Sequence, residues 1–194
     1  MGFEFFKKNK LLRNVFVKYN NPKNRVNVFN NLKKHFKKSD KILNLGCGTC
    51  LFDEHIILQG YNVTSIDIYE SSLSDLVKPI VYDGKKIPAK NKEYNVTLLL
   101  SILHHVDHQN ELIKEVKRVS KKIIIQEDMV PTKMRKVLFS LFDNLINLDF
   151  CVKTNNYHSI EEWKEIFKKN GLKLKSMTLK KSYFFVKQAT FVLE

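Results

Sequence analysis

The stretch KILNLGCGTCLFDEHIILQG, residues 41–60, constrains the fold more than any other part of the chain. KILNL is a short apolar run of strand character. Gly46-Cys47-Gly48-Thr49 cuts it off, and CLFDEHIILQG follows at once as a helix with Gly60 at its end. A strand that turns directly into a helix is the first half of a βαβ unit, whose crossover is right-handed and whose strands are parallel.

The later segments keep the alternation. YNVTSIDIY is a second run rich in β-branched residues, and KPIVYD a short third one after Pro79. YNVTLLLSI, residues 94–102, is continuously apolar and suits a central strand covered on both faces. NELIKEVKRVS repeats apolar residues at Leu112, Ile113, Val116 and Val119, which predicts a helix lying on that sheet, and KKIIIQED is a fifth strand. Upstream, PKNRVNVFNNLKKHFK, residues 22–37, predicts an amphipathic helix through Val28, Phe29, Leu32 and Phe36.

Beyond Pro131 the pattern changes. Residues 132–148 carry a broad apolar helical face. SIEEWKEIFKKNGL opens with a capping box, Ser159 and Glu162, and closes at Gly171. LKLKSMTLK and YFFVKQATFVLE predict an antiparallel hairpin turning near Lys181 and Ser182.

Three strand ends carry the chemistry. The turn at Gly46 and Gly48 lets a backbone approach a ligand closely, with helix N–H groups aimed at it. Asp67, 19 residues beyond Gly48, falls near the end of the second strand, where an acid can take both hydroxyls of a ribose. Asp83-Gly84 follows the third strand, where an adenine edge could be read. All three meet at the carboxyl edge of the sheet, where open α/β sheets bind ligands.

On these residues the sequence resembles the class I S-adenosylmethionine-dependent methyltransferases, in particular the small single-domain, type 11-like members. ILNLGCGTC matches the glycine loop, SIDIY the acidic ribose position, and YDGKKIPAKNKEYNVTLLLSILHHV the adenine-side acid through the fourth strand. ELIKEVKRVSKKIIIQED matches the next helix and strand. The likeness is close over residues 25–130 and looser in the tail. It implies a doubly wound, Rossmann-like α/β sheet of seven strands in the order 3-2-1-4-5-7-6, the last antiparallel. It also implies S-adenosyl-L-methionine as cofactor, with Asn44, Gly46, Cys47, Gly48, Asp67, Ile68, Asp83, Gly84 and Ser101 as its binding positions. The chain departs from the family at Asn44, commonly an acid, and at Cys50, commonly a glycine.

Cys47 and Cys50 also form a C-x-x-C, open to a redox or metal reading. No Trp precedes Cys47, as it does in the redox dithiols, and Asp67 and Asp83 would then share no purpose. For zinc, His55, Cys151 and His158 supply no regular second pair, and residue 51, where c-type haem attachment needs His, is Leu. No metal is expected.

On the acceptor side, His104 and His105 follow the fourth strand, and Tyr157 precedes the EEW helix with His158. These three, His104, His105 and Tyr157, are the catalytic candidates. Adjacent histidines point different ways, so one of the two is expected to act. Glu127-Asp128 ends the fifth strand and either binds a cationic group or caps the next segment. Tyr19 belongs to a possible N-terminal lid.

Composition frames the rest. The 194 residues are 43% hydrophobic with six Gly and four Pro, which predicts one domain: a basic helical segment or lid over 1–38, a cofactor core over 39–130, and acceptor-side helices with the terminal hairpin over 131–194. There is no apolar run of membrane-span length and no signal peptide, and Phe6 stands where myristoylation favours Ser or Thr. With three cysteines in all, a cytoplasmic location is expected. The formal charge of +14 is concentrated at the ends: residues 1–40 hold 11 basic and 2 acidic side chains, 41–130 hold 11 and 12, and 131–194 hold 12 and 6. Such ends suit RNA or an anionic surface, or simply a lysine-rich solvated exterior. The functional expectation is therefore a methyltransferase acting on a small molecule. The alternatives are an RNA or other macromolecular acceptor, or a silent member that binds cofactor or a partner.

Overall fold

In the computed structural model, residues 22–129, 137, 156–181 and 187–194 are described. Tyr19, Cys151 and the expected 132–148 helix apart from Val137 lie outside them.

The chain alternates as its sequence predicts. Helix α1 (Pro22–Leu32) and a 3-10 turn (Lys33–His35) lead to β1 (Lys41–Leu45), then α2 (Leu51–Leu58), β2 (Asn62–Asp67), β3 (Ile80–Val81) and β4 (Tyr94–Leu100). A 3-10 turn (Leu103–His105) precedes α3 (Gln109–Val119), β5 (Ser120–Met129), α4 (Ile160–Lys169), β6 (Leu174–Lys181) and β7 (Lys187–Leu193).

The strands form one sheet in the order β3-β2-β1-β4-β5-β7-β6. β1 is parallel to β2 on one side and to β4 on the other, so the strand order reverses between β1 and β4. β7 is antiparallel to both β5 and β6. β6 therefore runs parallel to β5, and its carboxyl end reaches the same sheet edge as β1, β4 and β5.

Two apolar layers cover the sheet. On one face, Phe29, Leu32 and Phe36 pack on Ile42, Val96, Leu98 and Ile124. On the other, α3 and α4 bring Leu112, Ile113, Val116, Trp163 and Phe167 against Leu43, Leu99, Ile123 and Ile125. The capping box of α4 is formed: the Glu162 amide donates to Ser159 Oγ at 3.2 Å, and the Ser159 amide donates to Glu162 Oε2 at 2.6 Å.

Several boundaries differ from the sequence reading. β4 stops at Leu100 rather than residue 102, because Ser101 turns into the left-handed region at φ 55°. β3 keeps only two residues of KPIVYD. Pro79 has no N–H to donate, and past Val81 one bond continues the pairing, from the Tyr82 amide to the Asp67 carbonyl. α1 tightens to 3-10 after Leu32 instead of running to residue 37, yet Phe36 is still buried. α2 begins after Cys50, whose left-handed conformation is not helical.

Candidate functional site

The loop between β1 and α2 is held by backbone bonds on both sides. The Gly46 and Cys47 amides donate to the Ile66 carbonyl at 2.8 and 3.3 Å, and the Leu73 amide donates to the Thr49 carbonyl at 2.9 Å. Gly46 is at φ +76°, and a Cβ there would lie 2.7 Å from Ile102 Cγ2, so the close approach of β1 to the segment after β4 admits no side chain. Gly48, at φ +54°, has nothing among the described residues within 4 Å of its Cβ position. Its upper side is open space, the shape a loop needs where a ligand lies against backbone.

Asp67 closes the rim of this space. Its Oδ2 accepts from the Gly48 amide at 2.7 Å, and its Oδ1 from the Ile68 and Tyr69 amides at 2.7 and 3.3 Å. Gly84 lies against Ile68, whose Cγ2 is 3.3 Å from a Cβ position there, which carries the end of β3 to the end of β2. Asp83 is exposed, and the Lys85 and Lys86 amides that donate to it hold its carboxyl below the usual range. These contacts bring Gly48 to Asp67 and Ile68 to Gly84 at the carboxyl edge of the sheet, and Gly46 to Ile102 beside Ser101.

Asn44 and Cys47 behave differently. The Asn44 side chain is buried and donates Nδ2 to Asp53 Oδ1 at 2.6 Å, while its Oδ1 has no hydrogen-bond partner among the described residues. Ser65 Oγ donates to the other oxygen of Asp53. Asp53 is fully buried, and burial pushes its carboxyl up to about 7 despite both hydrogen bonds. The thiols of Cys47 and Cys50 are 3.4 Å apart and pack with Val77 and Ile57. Contact with Cys50 and burial push the Cys47 thiol far up, and Asp53 and Asp67 add to this. A redox dithiol needs the opposite shift. Cys47, Cys50 and Asp53 bring ligand atoms within 4.8 Å of one another, but both Asp53 oxygens already accept hydrogen bonds.

Asp53 escaped the sequence reading. In the first turn of a helix an acid reads as a solvent-facing complement to the helix dipole, and nothing local says that β2 will cover it with Ser65.

Past β4, the chain places His104, His105 and Tyr157 together. His104 is 3% exposed, with Nδ1 2.6 Å from Glu127 Oε2, and Glu127 Oε1 accepts from the Leu103 amide at 2.7 Å. The His104 ring stacks on buried Tyr157 at 5.0 Å and lies 4.2 Å from the ring of exposed His105. His158 instead contacts Gln109 and Trp163. Glu127 points to the α3 face, whereas its neighbour Gln126 lines a cavity on the α1 face. That cavity, of about 570 Å³, opens at the carboxyl ends of β4 and β5 and is also lined by Ser101, Leu100 and Phe52. None of His104, His105 and Tyr157 is among its described lining residues.

A strand-order reversal at β1 and β4, an antiparallel β7 inserted before β6, a glycine loop and an acid after β2 together define the class I S-adenosylmethionine-dependent methyltransferase fold. Residues 43–123 match the methyltransferase domain family. A curated relative, the ubiquinone biosynthesis O-methyltransferase of Rickettsia bellii, is 28% identical over 107 residues, 49% of this chain and 45% of its own. The chain thus spans about half the length of the curated relatives it matches. Among solved structures, an S-adenosylmethionine-dependent methyltransferase from Methanosarcina mazei superposes with a TM-score of 0.67 at 14% identity, covering 84% of this chain and 96% of that one. Magnesium protoporphyrin IX methyltransferase from Synechocystis, with bound S-adenosylhomocysteine, gives 0.63 at 14% identity over 88% and 81%.

Proposed function

We propose that this protein transfers a methyl group from S-adenosylmethionine to a small-molecule acceptor. The observation that carries the reading is the open face of Gly48 bounded by the Asp67 carboxylate. A nucleoside laid there would meet backbone on one side and an oxygen acceptor for its ribose hydroxyls on the other.

Bound S-adenosylmethionine supplies an electrophilic methyl sulfonium, so the protein has chiefly to align the acceptor and exclude water. Asp67 takes the ribose, and Asp83 and Gly84 flank the base. Gly46, Gly48 and Ser101 offer backbone to the amino-acid end. Asn44 and Cys47, buried beneath the loop, support it from below. Where the acceptor must lose a proton, the candidate base is His104, whose Nδ1 is 2.6 Å from Glu127 Oε2 on the α3 side of the sheet; an acceptor held in the cavity on the α1 side would lose its proton without it. Tyr157 stacks on that ring and fixes its plane, and His105 flanks it on the exposed side. The small-molecule acceptor is favoured by a concave cavity of a few hundred Å³ beside Ser101.

Isothermal titration with S-adenosylhomocysteine tests the reading, with binding expected and its absence at millimolar ligand overturning it. Asp67→Ala should weaken that binding by about 1–3 kcal/mol. Labelled-methyl transfer into a cell extract separates an enzyme from a silent binder.

A further inference from the structure

The cavity beside Ser101 has a charge character that the fold does not require. Arg25 lines it from α1 and Lys180 from the end of β6, where its Nζ reaches α1; Lys181 borders it too, but as the next strand residue its side chain starts on the opposite face of the sheet. No Asp or Glu lines it among the described residues; its other polar lining is amide and hydroxyl, including Gln126. Asp128 stands behind Gln188, from whose Nε2 it accepts at 3.4 Å, and does not itself line the space. Lys180 Nζ donates to Asn31 Oδ1, which fastens the β6 wall to the α1 wall. Val28, Phe52 and Leu100 give the same cavity an apolar side.

Placing Arg25 and Lys180 on one concavity whose described lining holds no acid costs self-repulsion, which an anionic occupant would relieve. The donor cofactor cannot account for the lysines. β6 is four strand positions from β1 in the sheet, about 19 Å at ordinary strand spacing. Of the cations named, Arg25 stands on the helix that packs against α2 and could serve either ligand.

We propose that the methyl acceptor is a small amphipathic anion, its apolar body against Val28, Phe52 and Leu100 and its carboxylate or phosphate oxygens held by Lys180 with Arg25. The inference rests on the methyltransferase reading and adds the acceptor's chemical class to it. It also gives part of the basic excess at the chain ends a local purpose, since Arg25 and Lys180 belong to those ends.

The test uses the full chain at fixed ionic strength. S-adenosylhomocysteine binding is measured first; its failure removes the methyltransferase reading and the acceptor assignment with it. On protein saturated with S-adenosylhomocysteine, benzoate, phenyl phosphate and the neutral isostere benzamide are then titrated. At least one anion should bind tenfold or more tighter than benzamide, and whichever does names the carboxylate or the phosphate. The double variant Lys180→Gln/Lys181→Gln should remove that preference while leaving S-adenosylhomocysteine affinity within about twofold. Arg25→Gln, tested separately, should weaken the anion more than S-adenosylhomocysteine. Equal binding of benzamide and the anions overturns the proposal, as does an unchanged preference in the lysine variant. So does a loss of S-adenosylhomocysteine affinity in the lysine variant that matches its loss of anion affinity. Both lysines are exposed, so the double variant is expected to fold, and circular dichroism checks that it does.

Discussion

Asn44 donates its side-chain amide to the buried carboxyl of Asp53 at 2.6 Å, at the base of the glycine loop. The pair joins the end of β1 to the first turn of α2, and Ser65 adds β2 to the same carboxyl. The three elements that frame the loop therefore share one hydrogen-bonded centre. An acid at position 44 would place a second carboxyl beside Asp53, so Asn44 is the residue this arrangement needs.

Asp53 makes stability pH-dependent in a direction unusual for a carboxylate. Its folded value, about 7, lies above the unfolded one, so the folded state keeps a proton that the unfolded chain releases. The stabilisation is complete below the unfolded value and is lost as pH rises toward and through 7. Asp53→Asn, close to isosteric, removes this loss. The stability of the variant relative to the natural protein should rise by about 2–3 kcal/mol between pH 5 and pH 8 in urea titrations. A difference that stays constant with pH would refute the account.

Gly46 and Gly48 should fail differently. Gly46→Ala meets both a left-handed backbone and Ile102, and is expected to cost about 2–4 kcal/mol of stability. Gly48→Ala meets only the backbone strain, about 1 kcal/mol. Its Cβ would enter the space assigned to the cofactor, so S-adenosylhomocysteine affinity should fall tenfold or more. Thermal melts and titrations on the two variants separate the effects.

Cys50→Gly should be near neutral. The change relieves a φ of 57° but removes a fully buried thiol from contact with Cys47 and Val77. The two terms oppose at about 1 kcal/mol each. Cofactor affinity should stay within about threefold. A large loss would give the C-x-x-C spacing a role that backbone geometry does not.

Glu127→Gln tests the positioning of His104. The carboxylate accepts from both the Leu103 amide and His104 Nδ1, and an amide can accept only one of them at its single oxygen. For an acceptor that loses its proton to His104, kcat should drop at least tenfold with S-adenosylhomocysteine affinity unchanged, whereas an acceptor held in the α1-side cavity leaves kcat unchanged. A variant that merely melts earlier and keeps its kcat would leave Glu127 a structural role only.

The elements built from neighbours in the chain were legible. β1, its glycine turn and α2 follow from an apolar run, two glycines and a helical period, and the Ser159–Glu162 capping box spans a single turn. The shared edge was legible for the same reason: Gly48, Asp67 and Asp83 sit at strand ends, and strand ends of a parallel sheet share an edge. Side-chain burial was not. α2 turns Asp53 toward Ser65 and Asn44, and whether an acid in a first turn meets water or a β-strand depends on which face the sheet covers.

The sequence by itself determined the alternation, the loop conformation and the acid positions, because helix period, strand period and glycine φ are settled within a few residues. Tertiary structure alone decided the cavity. Lys180 reaches Asn31 across 149 residues of chain, and Arg25, Gln126 and Lys180 line one cavity because β6 runs parallel to β5 and returns to the edge that α1 covers. No local signal spans such a distance; only packing sets which charges share a space, and with them the kind of acceptor that fits.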